Sequence, residues 1–330
     1  MSNKIEVIAE IAQGYEGNIK LAELLVRGAL VAEADSVKLQ LVYAEELCIP
    51  SYPYHSLFKS LEMPKLAWQS LVSKVHDAGK RIYFDVYGER SLGVAKELGA
   101  DGVKISTTDF HNLPLLKQAF KQFNSVFISI GGIEVEYIDE MIELFAVKEK
   151  LTLMHGFQAE PTLIEDNNLL RINTLRSRYK QVRVGFMDHS LGSSQEAFYL
   201  PLLALGTGIS CIEKHISLDY SLKIEDYVSA LSIDRFGEFV RVIRNLEMGI
   251  GSADLELTKK EEEYGKRSGK VLVACRELSQ GHLITELDIV MKRVSIKFNK
   301  KHFRRVTDLV GKTLINPLKK DCPFETDIVI

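Results

Sequence analysis

The stretch EVIAEIAQGYEGNIKLAELLVRGALVAEADSVKLQL, residues 6–41, decides how the rest of the chain is read. It opens with a short β-branched run, Glu6–Ala12, continues with a helix-like amphipathic stretch, Ile19–Glu33, and ends in a second run, Ser36–Leu41. Both runs are apolar enough to be buried on two faces, as strands of a parallel sheet are. The turn between them, QGYEGN, lacks the GxGxxG spacing that opens a dinucleotide-binding open sheet. Working outward, similar runs recur at Arg81–Val86, Gly102–Ser106, Ser125–Ile130, Leu151–Phe157, Val182–Asp188 and Cys211–Ser217. Helix-like stretches such as Lys65–Ala78 and Val135–Phe145 separate them. Eight alternations in an α/β chain favour a (β/α)8 TIM barrel over a doubly wound open sheet. The phrases AEAD (32–35) and LGAD (98–101) fall just before strands and read as the helix-ending turns of repeated units.

The pattern changes near residue 257. A charged helical linker, 258–267, leads to a compact segment, 268–330, with short strands in VLVAC (271–275) and DIVMKRV (288–294). The expected organisation is a barrel over 1–257, the linker, and a small second domain over 268–330. About 63 residues bury little surface alone, so this tail is expected to dock on something.

The 330 residues are 46% hydrophobic and 26% charged, with a formal net charge of -3. That balance gives no reason to expect nucleic acid or an anionic membrane as partner. No run of about 18 apolar residues suggests a membrane span, and the N-terminus lacks a signal-peptide pattern. The four cysteines, Cys48, Cys211, Cys275 and Cys322, are scattered and form no CxxC pair. A reducing cytoplasm is the expected location.

In a barrel, chemistry gathers where the strands end. Those ends carry Glu10 and Gln13, Lys38 and Gln40, Asp85, then Lys104, Thr107 and Asp109. They continue with Ser129 before Gly131-Gly132, His155 and Gln158, Asp188 and His189, and Glu213, Lys214 and His215. Two lysines with a serine–diglycine turn suit a ligand bearing phosphate and carboxylate. The bland alternative makes Lys38 and Lys104 partners of Glu10, Asp85 or Asp109 in barrel ion pairs. His189 and His215 end neighbouring strands, and two imidazoles there can share a divalent metal. His215 is expected to face solvent. A histidine alone is more often a hydrogen-bonded core residue, a description that fits His155 best.

These phrases, in this order, resemble the sialic acid synthase family, the N-acetylneuraminate synthases with their legionaminate and pseudaminate relatives. The resemblance is carried by IAEIAQGYEGN (8–18), SVKLQ (36–40), VKISTTD (103–109), FISIGGI (127–133), LMHGFQAEPT (153–162), VGFMDHS (184–190), IEKHISLD (212–219) and KIED (223–226). The tail phrases RSGKVLVA (267–274), DIVMKR (288–293) and VGKTL (310–314) are similar to the antifreeze-like, or SAF, domain of that family.

The resemblance implies condensation of phosphoenolpyruvate with an N-acyl amino-sugar aldehyde such as N-acetylmannosamine, releasing phosphate. It implies a divalent metal, manganese first with magnesium or cobalt as alternatives, on His189 and His215. Lys38 and Lys104 would hold phosphoenolpyruvate, with Thr107 and Ser129 on its phosphate side. Glu10, Asp109 and Glu213 fall on the family's acidic catalytic positions. Gln40, Gln158 and Asp226 would contact the sugar. Arg293 would reach a neighbouring subunit's sugar in a domain-swapped homodimer.

The chain also departs from the family. Met187 stands where relatives have a serine, Gln158-Ala159-Glu160-Pro161 replaces Asn-x-Tyr-Pro, and Val294 replaces the proline of Lys-Arg-Pro. Glu160 adds an anion on the sugar side, which is expected to disfavour sugar phosphates and favour an amine. The rival readings are a metal-dependent barrel aldolase or hydrolase, and a non-catalytic sugar-binding protein.

Overall fold

A computed structural model describes residues 4–145, 148–157, 159–294 and 301–330. The chain divides into two compact units, Met1–Ser252 and Ala253–Ile330.

The first unit is a closed parallel barrel. Its strands are β1 (Glu6–Ala12), β2 (Ser36–Gln40), β3 (Arg81–Val86), β4 (Gly102–Ile105), β5 (Val126–Ser129), β6 (Leu151–His155), β7 (Arg183–Asp188) and β8 (Cys211–Ser217). They pair in chain order, and β8 returns to β1, so the eight expected runs all form strands of one ring. A two-residue strand, β9 (Leu231–Ser232), extends β8.

The helices of this unit are α1 (Ile19–Val31), α2 (Ala44–Leu47), α3 (His55–Ser60), α4 (Lys65–Asp77), α5 (Glu89–Glu97), α6 (Leu113–Gln122), α7 (Val135–Phe145), α8 (Leu170–Arg178), α9 (Glu196–Leu205) and α10 (Ile233–Ile250). Two of these helices, α1 and α6, start at an asparagine cap. The Asn18 side chain accepts from the N–H groups of Lys20 and Leu21, and Asn112 accepts from Leu115 N–H.

The two repeated phrases turn out to do the same job. Glu33 in AEAD and Gly99 in LGAD both take left-handed φ, 61° and 77°. The aspartate ending each phrase then accepts from the N–H of the preceding strand, Asp35 from Val7 and Asp101 from Ile82, both at 2.8 Å. The ring is stapled at its seam by α10. There Arg244 donates to Ile5 O, Asp35 and Glu247, while Glu247 accepts from Ile5 N–H.

Two apolar regions support the barrel. One lies between strands and helices, where large side chains such as Trp68, Phe236 and Phe239 are fully buried. The other plugs the barrel interior with Ile8, Tyr83, Phe127, Met154, Met187 and Cys211. Ionisable strand-end side chains therefore sit against an apolar plug, where an unpaired charge is costly.

The second unit holds α11 (Lys259–Ser268), capped by Thr258 and Glu261 acting reciprocally. Strands β10 (Val271–Ala274) and β11 (Ile289–Lys292) pair antiparallel over a small core that includes Leu272, Leu309 and Phe324. Asp288 lies at the centre of this unit, fully buried, accepting from Arg276, His282 and Thr285. All four cysteines are free. Among the described residues, no helix is long and apolar enough to cross a membrane.

Candidate active site

Strand register assembles the site. Glu10 pairs across β1 with both Lys38 on β2 and His215 on β8. Asp85 on β3 pairs with Gln40 on one side and Lys104 on the other. Five of these six residues are at least nine-tenths buried and ionisable: Glu10, Lys38, Asp85, Lys104 and His215. Glu213 joins them from β8.

The charges pair across the barrel. The Lys38 ammonium contacts Glu10, donates to Asp85 at 2.7 Å, and stands 3.6 Å from Glu213. Lys104 donates to Glu213 at 2.5 Å. The ion-pair reading of the lysines therefore holds, with the pairs formed at the strand ends. Asp109, the third suggested partner, takes no part. It lies on the 3-10 turn after β4 and accepts instead from Thr108 and Asn112. Burial pushes its carboxyl above the ordinary value.

Burial raises Glu10 to about 8, with Glu213 and Asp85 adding to the shift and Lys38 opposing it. For Lys38, burial disfavours the charge, but Asp85, Glu10 and Glu213 outweigh it and hold the ammonium above its ordinary value. Burial also opposes ionisation of Glu213, yet Lys104 and Lys38 bring its carboxyl below the usual range. The upward push on Glu10 reduces the excess of acidic over basic groups in this buried cluster of three carboxyls and two lysines.

His189 and His215 face each other with ring centroids 5.2 Å apart. The expectation that His215 faces solvent is corrected: it is only 6% exposed and His189 3%, because both rings project into the packed barrel. Burial lowers His189 to about 4 and His215 well below its ordinary value, so both rings are neutral at pH 7. The His189 Nδ1 is buried without a hydrogen-bond partner. A neutral imidazole with an unsatisfied buried nitrogen fits a metal ligand. Among the described residues, no group of three or more His, Cys, Asp or Glu side chains is arranged to hold a metal. Two imidazoles alone would leave a metal's remaining positions to water or substrate.

Above the ion pairs lies a cleft of about 390 Å³, lined by Gln13, Gln40, Tyr87, Lys104, Ser129 and Glu160 among others. Gln13 ties Gln40 and Asp226 together, since its N–H donates to Asp226 at 2.9 Å and its side chain donates to Gln40 at 2.8 Å. Asp226 takes a left-handed φ of 63° at the start of a tight turn. Ser106 and Thr108 line the cleft, whereas the expected Thr107 between them does not. Ser129 is buried, and its hydroxyl donates to the Met187 sulfur at 3.4 Å. His155 is the hydrogen-bonded core residue expected, with Nε2 2.9 Å from Asn167 O. It lines a separate cleft of about 480 Å³ that contains neither lysine. Gln158 lies outside the described residues. Arg293 follows β11 directly in the second unit and is exposed.

Sequence reading did not single out Tyr87. Its residue type, two positions past a strand-end aspartate, gives no signal of its own.

The ion-paired barrel mouth and the two facing imidazoles place ionisable groups where barrel enzymes carry their chemistry, and comparison with known proteins identifies the family. The NeuB family model matches residues 25–254 and the SAF domain model residues 269–328. The chain belongs to the NeuB family. It is 24% identical over 325 residues to the pseudaminic acid synthase of Campylobacter jejuni, covering 94% of this chain and 92% of that protein. Over 344 residues it is 25% identical to the human N-acetylneuraminate-9-phosphate synthase, covering 98% and 92%. Among solved structures it resembles the N-acetylneuraminic acid synthetase of Leptospira borgpetersenii in complex with citrate. The TM-score is 0.74 at 26% identity, over 80% of this chain and 90% of that one.

Proposed function

We propose that this chain condenses phosphoenolpyruvate with the open-chain aldehyde of an amino sugar to give a nonulosonate and inorganic phosphate. The observation that carries the reading is a division of the cleft by strand order. Lys104 and Ser129 come from neighbouring β4 and β5, while Gln13 and Gln40, with Asp226 bonded to Gln13 from behind, come from the seam of β8, β1 and β2. The first group suits an anionic enol phosphate; the second suits a polyhydroxylated chain.

In this reading Lys38 and Lys104 neutralise the phosphate and carboxylate, and Ser129 donates to a phosphate oxygen. Held between them, the enol carbon meets the aldehyde carbon and the new C–C bond forms. Positive charge then grows on the carbon bearing the phosphate, where Glu213 and Asp85 stabilise it. Water adds to that carbon and passes a proton to the Glu10 carboxylate left by protonation of the alkoxide, and the adduct collapses to the ketone by breaking the C–O bond, its hydroxyl proton leaving with the phosphate. Glu10, neutral at pH 7 and buried against Lys38, supplies a proton to the alkoxide formed from the aldehyde. A divalent metal bound at His189 and His215, manganese first, would supply Lewis-acid polarisation of the aldehyde oxygen. The exposed Arg293 belongs, in this proposal, over the barrel of a second chain in a domain-swapped homodimer.

The test is phosphate release from phosphoenolpyruvate with a panel of amino sugars in oxygen-labelled water. Label should enter the ketose product and leave phosphate unlabelled. Label in the phosphate means P–O hydrolysis and ends the proposal.

A further inference from the structure

Glu160 lies in the loop after β6 and lines the cleft together with Gln13, Gln40 and Tyr87. Its carboxyl stands beside that of Asp226. Neither carboxyl has an ion-pair partner among the described residues. Two acids side by side repel, and partial burial strengthens the repulsion. Burial first, and Glu160 next among the raising influences, push Asp226 up to about 7, while the Gln13 N–H opposes the shift. Among the described residues that repulsion is eased only by the hydrogen bond the two carboxyls make with each other, by the Gln13 N–H and by the more distant Lys38, and no cation meets the pair directly.

A separate observation points to what relieves it. Tyr87 is only 7% exposed, lines the same cleft, and its hydroxyl has no hydrogen-bond partner among the described residues. A hydroxyl on a cleft wall without a protein partner is available to bond a ligand. Asp85, also on the cleft wall, leaves Oδ1 buried and unbonded. Sugar hydroxyls alone do not account for the arrangement. One carboxylate accepts from a diol well, and a second beside it adds repulsion without adding a needed acceptor. An ammonium group accounts for all three: it brings three donors, and Glu160, Asp226 and Tyr87 offer three oxygens. It also brings the positive charge that the two carboxyls lack.

We propose that Glu160, Asp226 and Tyr87 form a cation-reading subsite, so that the amino sugar taken by this enzyme carries a free, protonated amine. The proposal rests on the reading of this cleft as the sugar side of the condensation site. It makes Glu160 the specificity-determining residue, because Asp226 alone cannot distinguish an ammonium from a hydroxyl so strongly. It also sets the substrate apart from sugar phosphates, whose dianion would meet Glu160 directly.

The experiment measures binding of mannosamine and N-acetylmannosamine to the full-length protein by calorimetry at pH 7, with and without phosphoenolpyruvate. Phosphate release with each sugar is followed in parallel. The quantity read is the preference ratio, mannosamine over N-acetylmannosamine. It should exceed about tenfold, the range of one charge-assisted hydrogen bond. Glu160→Gln should lower the ratio by about tenfold, and Glu160→Asp, which keeps the charge, should preserve most of it. Tyr87→Phe should lower it more modestly. A ratio near one, or an equal effect of Glu160→Gln on both sugars, overturns the subsite. Failure of every sugar to release phosphate ends the condensation reading instead, while the calorimetric ratio still decides the subsite.

Discussion

Lys214 donates to Asp188 at 2.5 Å across directly paired positions of β7 and β8, and both side chains are fully buried. Each is the residue immediately before a facing imidazole, His189 or His215. Side chains alternate along a strand, so the ion pair lies on the opposite face from the two rings. It clasps the strands at the one level where ring spacing matters. Ser190 adds two hydrogen bonds to Asp188, from its N–H and its hydroxyl. Burial lowers the Lys214 pKa even though Asp188 opposes the shift.

The first prediction follows from that clasp. Lys214→Met leaves Asp188 as a buried carboxylate without its cation, a loss of about 3–5 kcal/mol. Chemical denaturation should show it. The double variant Lys214→Met with Asp188→Leu removes both charges and should recover much of the stability. A single variant as stable as wild type would show that the pair is not the clasp described.

The second prediction concerns the imidazoles. Because His215 is buried, alanine would open a cavity, and His215→Gln is the cleaner change. It should weaken Mn²⁺ binding and phosphate release by about 100-fold or more while leaving the circular dichroism spectrum intact. Full activity in wild-type protein after exhaustive chelation removes the metal from the proposal.

The barrel was legible because buried parallel strands advertise themselves as β-branched runs, and each run found here became a strand. The AEAD and LGAD turns were legible because a left-handed helix end has a narrow sequence vocabulary. The pairing inside the barrel was less so. Lys104 and Glu213 are 109 residues apart, and only closure of β8 on β1 brings them together. Asp109 looked equivalent to Asp85 in sequence. It differs because β4 ends at Ile105 and a tight turn carries Asp109 to a different set of partners. Asp188 and Lys214 were visible as ionisable strand residues, but their outward pairing depends on register. Tyr87 and the closeness of Glu160 to Asp226 depend on loop positions that no periodicity encodes.

The third prediction is acid sensitivity of the second unit. Complete burial disfavours the Asp288 charge, but hydrogen bonds from His282, Thr285 and Arg276 outweigh it and hold the carboxyl well below its usual range. A carboxyl depressed in the folded state stabilises above its unfolded value, near 4, and that stability is lost as pH falls toward the folded value. Thermal melting of the full chain should therefore show a transition that weakens between about pH 4 and pH 2. Asp288→Asn should lower stability at neutral pH by about 1.5–3 kcal/mol and flatten that pH dependence. A wild-type transition indifferent to pH across this window contradicts the assignment.

The fourth prediction tests whether the active site is shared between two chains. The second unit is small, and its exposed Arg293 has no acidic partner among the described residues. A cleft that must hold a reactive adduct away from bulk water needs a cover, and an arginine fork can bind a sugar carbonyl while meeting a carboxylate. In the proposed domain-swapped homodimer, that cover comes from the second chain. His215→Gln and Arg293→Ala should each be nearly inactive alone. Unfolded together and refolded, they should form heterodimers in which one barrel is intact and is covered by an intact tail. Half of the dimers are mixed and each mixed dimer has one working site, so activity should return to about a quarter of wild type. Heterodimers that form without regaining activity, alongside a refolded wild-type control that does regain it, would mean each chain completes its own site.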